Sequence, residues 1–169
     1  PSDIAALIDA ADMSEGARSI AHRVFDILAD AEAQAHGIDV ADVHFHEVGA
    51  IDSIADVVAA SAALDSLGVD DVVVTDLAEG SGTVRCRHGV IPVPVPAVVN
   101  IAARWCIPLR PSGVRGELVT PTGAAFVAAV RTRSTLPERF VIERVGMGAG
   151  KRDYATSGIV RAMIIREVR

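Results

Sequence analysis

Aromatic side chains are scarce in this chain, at 4% of its 169 residues. Its core must therefore be built from Val, Ile, Leu and Ala rather than from stacked rings. With 50% hydrophobic residues there is enough such material for one domain. Cysteine is as sparse: Cys86 and Cys106 are too few for a disulfide framework. There is no basic excess, and the net charge of −6 argues against a general nucleic-acid binder. No apolar run approaches the roughly 20 residues of a membrane span, and no signal-peptide pattern opens the chain. The default expectation is a soluble, cytoplasmic protein with no nucleic-acid or membrane partner. The chain opens on Pro1 rather than Met, as expected of a processed start or a piece of something longer.

Apolar periodicity predicts a short helix over residues 1–12 and a longer one over 14–36, which Gly37 stops. Residues 43–48 read as extended, Gly49 as a turn, and 50–67 as an Ala-rich helix apolar enough to be buried on most of its surface. After Gly68 the period changes. Strands are predicted over 71–76, 81–87, 107–110, 140–145 and 159–168. Residues 90–96 form a proline-bound extended segment, and helices are predicted over 97–105 and from Thr120 to about Arg131. Residues 146–153 form a glycine-rich loop. The sum is an α+β fold, a mixed sheet packed with helices, with strands and helices too irregularly ordered for a doubly wound architecture.

Three places are candidates for chemistry. In the first, His44 and His46 project to one side of an extended segment. Asp52 and Asp56 stack on one helix face just beyond, and Glu47 lies between. Two imidazoles and two carboxylates converging on one point suit a divalent transition metal, without naming the ion. The plainer alternative is an N-cap at Asp52, a satisfied core histidine and solvated carboxylates. Asp56 is the more telling acid, because its helix is otherwise dominated by Ala, Ile and Val.

The second place is Cys86 with His88, which face the same way on an extended segment and would suit a softer metal. A small buried cysteine and a surface histidine at a strand end is the competing reading. The third is the stretch from Thr120 through Pro121, Thr122 and Gly123, where a helix N-terminus with two hydroxyls makes an anion site suited to phosphate. An ordinary threonine cap explains the same residues. The glycine-rich loop, with Gly148, Lys151 and Arg152, could close over such a phosphate. It is not a dinucleotide-binding fingerprint, since no helix pattern follows it.

Several blocks in order carry a resemblance: His-Phe-His-Glu-Val-Gly-Ala-Ile-Asp-Ser-Ile from His44, Gly-Ser-Gly from Gly80, and Cys-Arg-His-Gly-Val-Ile-Pro-Val-Pro-Val-Pro from Cys86. Gly-Glu-Leu-Val-Thr-Pro-Thr-Gly-Ala-Ala from Gly116 and Gly-Ala-Gly-Lys-Arg-Asp from Gly148 complete the set. Together they resemble the LarC family of nickel insertion proteins over most of the chain from Ser14 onward. The resemblance implies a CTP-dependent cyclometallase that installs nickel in pyridinium-3,5-bisthiocarboxylic acid mononucleotide, making the nickel-pincer cofactor of lactate racemase and its relatives. It also gives the phosphate site a purpose. The family's Asp-Cys-Phe-Ser-Gly-type opening segment, its histidine-rich insertion and its C-terminal nucleotide-associated domain have no counterpart here. The expectation is therefore a single domain, residues 1–169, equivalent to the central part of such a protein, with CTP left to the full-length family.

The expected metal ligands are His44, His46, Glu47, Asp52, Asp56, Cys86 and His88. Glu47 or Asp56 is the expected proton acceptor. Thr120, Thr122, Gly123, Gly148, Lys151 and Arg152 are expected to hold the substrate phosphate. Two other classes use the same features. One is a metal-dependent phosphatase or hydrolase acting through metal-activated water. The other is a non-catalytic nickel carrier or assembly module, completed by missing family domains or by self-association.

Overall fold

A long helix that begins on a capping serine and ends on a left-handed glycine is the axis of the molecule, whose computed structural model describes residues 2–43, 51–86, 89–150, 152, 154 and 158–168. Helix α1 is Ser2–Ala10 and α2 is Glu15–His36. The Ser14 hydroxyl accepts the Ala17 N–H, and Gly37 closes the far end at φ 65°. In α2, Ala17, Ala21, Val24, Leu28 and Ala31 recur at helical spacing and are all buried. Helix α3, Ile51–Ser66, packs on α2, as do α4, Pro96–Arg104, and α5, Pro121–Val130. Alanines on the facing surfaces of α2 and α5 let these helices approach closely. Ile8, Leu28, Val57, Val98 and Ile101 fill the spaces between them.

Ser14 ties two links together. Besides capping α2, its hydroxyl donates to Asp65 Oδ2 of α3 at 2.6 Å. Ser14→Ala should lower the unfolding free energy by about 1 kcal/mol, read from denaturant midpoints at unchanged m-value.

Among the described residues, the strands form three two-stranded sheets. β1, Leu77–Ser81, pairs in parallel with β4, Leu109–Arg115. β2, Thr83–Cys86, and β3, Gly89–Pro92, make an antiparallel hairpin. That hairpin together with α4 is the crossover that a parallel pair requires. β5, Phe140–Ala149, and β6, Ile159–Glu167, form an antiparallel ribbon with a register shift between Ile142 and Arg144. The α+β class holds, with parallel and antiparallel pairs in place of one continuous sheet.

Three details differ from the sequence expectation. The valines of 71–76 supply only an isolated bridge, Val73 to Arg133, and the strand lies at Leu77–Ser81. Gly146 and Gly148 are not loop residues: they extend β5, opposite Ala162 and Val160. On α3 only Val57 and Ser61 are buried, with Ile54 and Val58 half-buried against the core, while Ile51 is 82% exposed, so burial is confined to one face instead of most of the helix. Among the described residues, no helix is long and apolar enough to cross a membrane.

Candidate functional site

Parallel strands present their carboxyl ends, and the helix that follows presents its N-terminus, at the same edge of the fold; ligands of open parallel sheets collect there. Here that edge is formed by Ser81 at the end of β1 and Arg115 at the end of β4, which lie in register. The Ser81 hydroxyl donates to the Val114 carbonyl at 3.2 Å, and the Gly116 N–H donates to the Ser81 carbonyl at 2.9 Å. From Gly116 a short strap, residues 116–119, leads to Thr120, the N-cap of α5.

Each part of the strap is held. Gly116 has φ 111°, a left-handed value that favours glycine. Its carbonyl lies against Gly80 so closely that a Cβ on Gly80 would overlap it. The Leu118 and Val119 N–H groups both donate to Oε1 of Glu79, a buried residue of β1. The Glu117 carbonyl accepts the Tyr154 hydroxyl at 2.6 Å, and its carboxylate pairs with Arg152 at 3.1 Å. The Tyr154 ring lies close to both Gly116 and Gly158. Hydrogen bonding to Tyr154, and then to Glu117, holds the Arg152 guanidinium above its ordinary pKa against slight burial. Three blocks far apart in sequence thus meet: Gly80-Ser-Gly, Gly116 to Gly123, and the segment after Gly148.

The expected phosphate ligands fall as follows. The Thr120 hydroxyl is the helix cap, accepting the Gly123 N–H at 3.2 Å. Thr122 is half-buried in the first turn of α5, and Gly123 is exposed. Arg152 is bound to Glu117 yet keeps 61% of its side chain exposed, beside the strap that leads into α5. Gly148 lies on the exposed ribbon, and Lys151 is outside the described residues. A cavity of about 180 Å³ beside Trp105, Ile107, Arg131 and Arg133 adjoins the carboxyl end of α5. The helix dipole disfavours an anion at that end.

Of the expected metal ligands, His44, His46, Glu47 and His88 lie outside the described residues. Asp52 sits in the first turn of α3 and Asp56 one turn later, both exposed. Asp56 is therefore solvated, and the burial expected to mark it out is absent. Cys86 ends β2 opposite Gly89, half-buried, and forms no disulfide with Cys106. Among the described residues, no group of three or more His, Cys, Asp and Glu side chains converges as a metal site. Sequence reasoning passed over Glu79 and Tyr154. The available signal was an acidic residue inside an otherwise small and apolar strand, directly before the Gly80-Ser-Gly block.

Comparison with known proteins finds relatives over nearly the whole chain. The pyridinium-3,5-bisthiocarboxylic acid mononucleotide nickel insertion protein of Alkaliphilus metalliredigens is 50% identical over 167 residues, covering 99% of this chain and 40% of the relative. Its namesake in Lactiplantibacillus plantarum is 42% identical, over 98% of this chain and 40% of the relative. That of Acetivibrio thermocellus is 38% identical, over 96% and 40% respectively. The chain thus spans about two fifths of the length of these curated relatives. No solved structure matches it. The sequence model described as "Nickel insertion protein" matches residues 1–169, the whole chain, which therefore belongs to the nickel insertion protein family.

Proposed function

We propose that this chain is a single-domain module that holds nickel and the phosphate of a pyridinium mononucleotide, so that the metal can be inserted into the ring. The observation that carries this reading is the meeting of three sequence blocks at the carboxyl ends of β1 and β4, beside the N-terminus of α5. Backbone N–H groups and the helix dipole favour a phosphate at such a place. Arg152, fully charged and mostly exposed beside the adjoining strap, adds a cation suited to the same anion. The relatives' names supply the substrate, pyridinium-3,5-bisthiocarboxylic acid mononucleotide, and nickel as the metal inserted.

The chemistry asks for few groups. Nickel must bond to a ring carbon and two sulfurs while the ring proton leaves, so the electron pair of the broken C–H bond becomes the carbon–nickel bond. A carboxylate within reach takes the proton. Glu47 and Asp56 are the proposed acceptors, and His44, His46, Asp52, Cys86 and His88 the proposed nickel ligands, together with those two carboxylates. Thr120, Thr122, Gly123, Gly148, Lys151 and Arg152 are proposed for the phosphate. Replacement of His46 by alanine should weaken nickel at least about tenfold, the loss of one good ligand bond, with the thermal unfolding midpoint unchanged. Calorimetry that finds the nickel affinity of the variant equal to that of the native chain removes His46 from the site.

One observation favours a second reading, a carrier or assembly module without insertion activity of its own. Cross-strand partners share a face of the β5–β6 ribbon, which places Val145 with Met163, Met147 with Arg161 and Ala149 with Ile159. Val145 is 55% and Met147 68% exposed, so this face is mainly apolar with one arginine at its middle, a composition that interaction surfaces present. Under this reading, nickel binds but product forms only when the remainder of a full-length relative is added.

A further inference from the structure

Glu79 stands out among the acidic residues of the described chain because it is only 2% exposed. Its two carboxylate oxygens have opposite surroundings. Oε1 accepts three backbone N–H groups, from Gly80 at 2.7 Å, Leu118 at 3.0 Å and Val119 at 3.2 Å. Oε2 is enclosed and has no hydrogen-bond partner among the described residues. Burying a carboxylate is costly, and an apolar side chain would cover the same strand with less penalty. The compensation lies in the three bonds to Oε1, each of which also gives a backbone donor its partner.

What those bonds hold is specific. Leu118 and Val119 directly precede Thr120, the cap of α5. Directly before them, Glu117 anchors Tyr154 through its carbonyl and Arg152 through its carboxylate. At the start of the strap, the Gly116 carbonyl rests on Gly80 and the Gly116 N–H is tied to Ser81. Release of Leu118 and Val119 would leave the strap held at Gly116 and Glu117 but free at the end that joins α5. The first turn of α5 and the anchor of Arg152 would then lose a common reference.

We propose that Glu79 is a positioning residue for the mononucleotide phosphate. Its Oε1 locks the strap of residues 116–119, and so sets the direction of the α5 N-terminus relative to Arg152. This rests on the phosphate site proposed above and gives it a support that the ligand set does not include. The role is one of reach rather than charge. Glutamine offers an oxygen to the same three N–H groups and places its NH2 where the unpartnered Oε2 lay. Aspartate keeps the charge but is one methylene too short to hold Leu118 and Val119. Alanine removes the acceptor altogether.

The test titrates the pyridinium mononucleotide and, separately, Ni2+ into the native chain, E79Q, E79D and E79A by calorimetry, below the unfolding transition of each. Amide exchange at Leu118 and Val119 is measured on the same samples. E79D and E79A are expected to weaken the mononucleotide about tenfold, to leave nickel affinity within about twofold, and to speed exchange at both amides, while E79Q stays within about threefold of native. Loss in E79Q equal to that in E79D would show that an oxygen at the right reach is not enough, and would overturn the proposal. Native-like mononucleotide binding by E79D and E79A would overturn it as well, and so would nickel affinity falling in step with mononucleotide affinity, the mark of general damage. Should E79D and E79A fail to fold, E79Q decides with its amide exchange: native-like binding with Leu118 and Val119 still protected supports the role, whereas a tenfold loss of binding, or native-like binding with those amides freed, ends it. A native chain that binds no mononucleotide removes the phosphate site and this inference with it. A native chain that binds, with every variant unchanged, overturns this inference only.

Discussion

Gly80→Ala is expected to lower the unfolding free energy by about 3 kcal/mol or more, the upper range of overpacking, and to abolish mononucleotide binding. The added Cβ would overlap the Gly116 carbonyl and crowd that of Val114 at 3.1 Å. Both obstacles are backbone, so no rotamer change relieves them. The strap must lift from β1, which breaks the register of Gly116 with Ser81 and draws Leu118 and Val119 away from Glu79. Gly148→Ala is the matched control. A Cβ there meets nothing within 4 Å, so its stability should stay within about 0.5 kcal/mol of native. Denaturant unfolding with calorimetry reads both effects, and a Gly80→Ala protein of native stability would show that the strap does not rest on β1.

The second large effect lies in the helical core. Leu28 is fully buried on α2, the helix against which α1, α3, α4 and α5 all pack. Leu28→Ala should cost about 2–5 kcal/mol, the lost transfer energy plus the cavity left behind. For a chain of this size, that corresponds to a melting temperature lower by roughly 5–15 °C. Of the helices packed on α2, only α5 contributes to the proposed phosphate site, and only by its N-terminus, so mononucleotide affinity below the transition should change much less than in Gly80→Ala. A midpoint within a degree of native would contradict the placement of α2 as the packing axis.

The helices were legible because their signals are local. Ser14, the alanine and leucine spacing of α2, and Gly37 define one helix from cap to cap, and Pro121 after Thr120 marks the start of another. The strands were less so. Valines at 72–74 carry strong β-propensity, yet pairing with β4 selected Leu77–Ser81, a weaker sequence. Gly146 and Gly148 read as a loop because glycine seldom signals a strand. In the ribbon their partners are Ala162 and Val160, and pairing outweighs propensity.

The site divides in the same way. Thr120, Thr122 and Arg152 could be chosen by residue type and by resemblance. The edge that gathers them depends on the parallel pairing of β1 with β4, which no local pattern announces. Glu79 was invisible for the opposite reason. An acid in sequence suggests solvent or chemistry, whereas here its function is to receive backbone N–H groups from residues almost 40 positions away. Asp56 shows the converse error: its apolar neighbours suggested burial, but α3 leaves it exposed.

The most direct measurement is a calorimetric titration of nickel into metal-free protein, with and without the pyridinium mononucleotide. A joint site for metal and substrate requires the mononucleotide to strengthen nickel binding, and by linkage nickel must strengthen the mononucleotide by the same factor. An increase of about tenfold or more, corresponding to a coupling near 1.4 kcal/mol, is the expected result. Nickel binding that is indifferent to the mononucleotide would contradict the joint site and leave the chain as a carrier module.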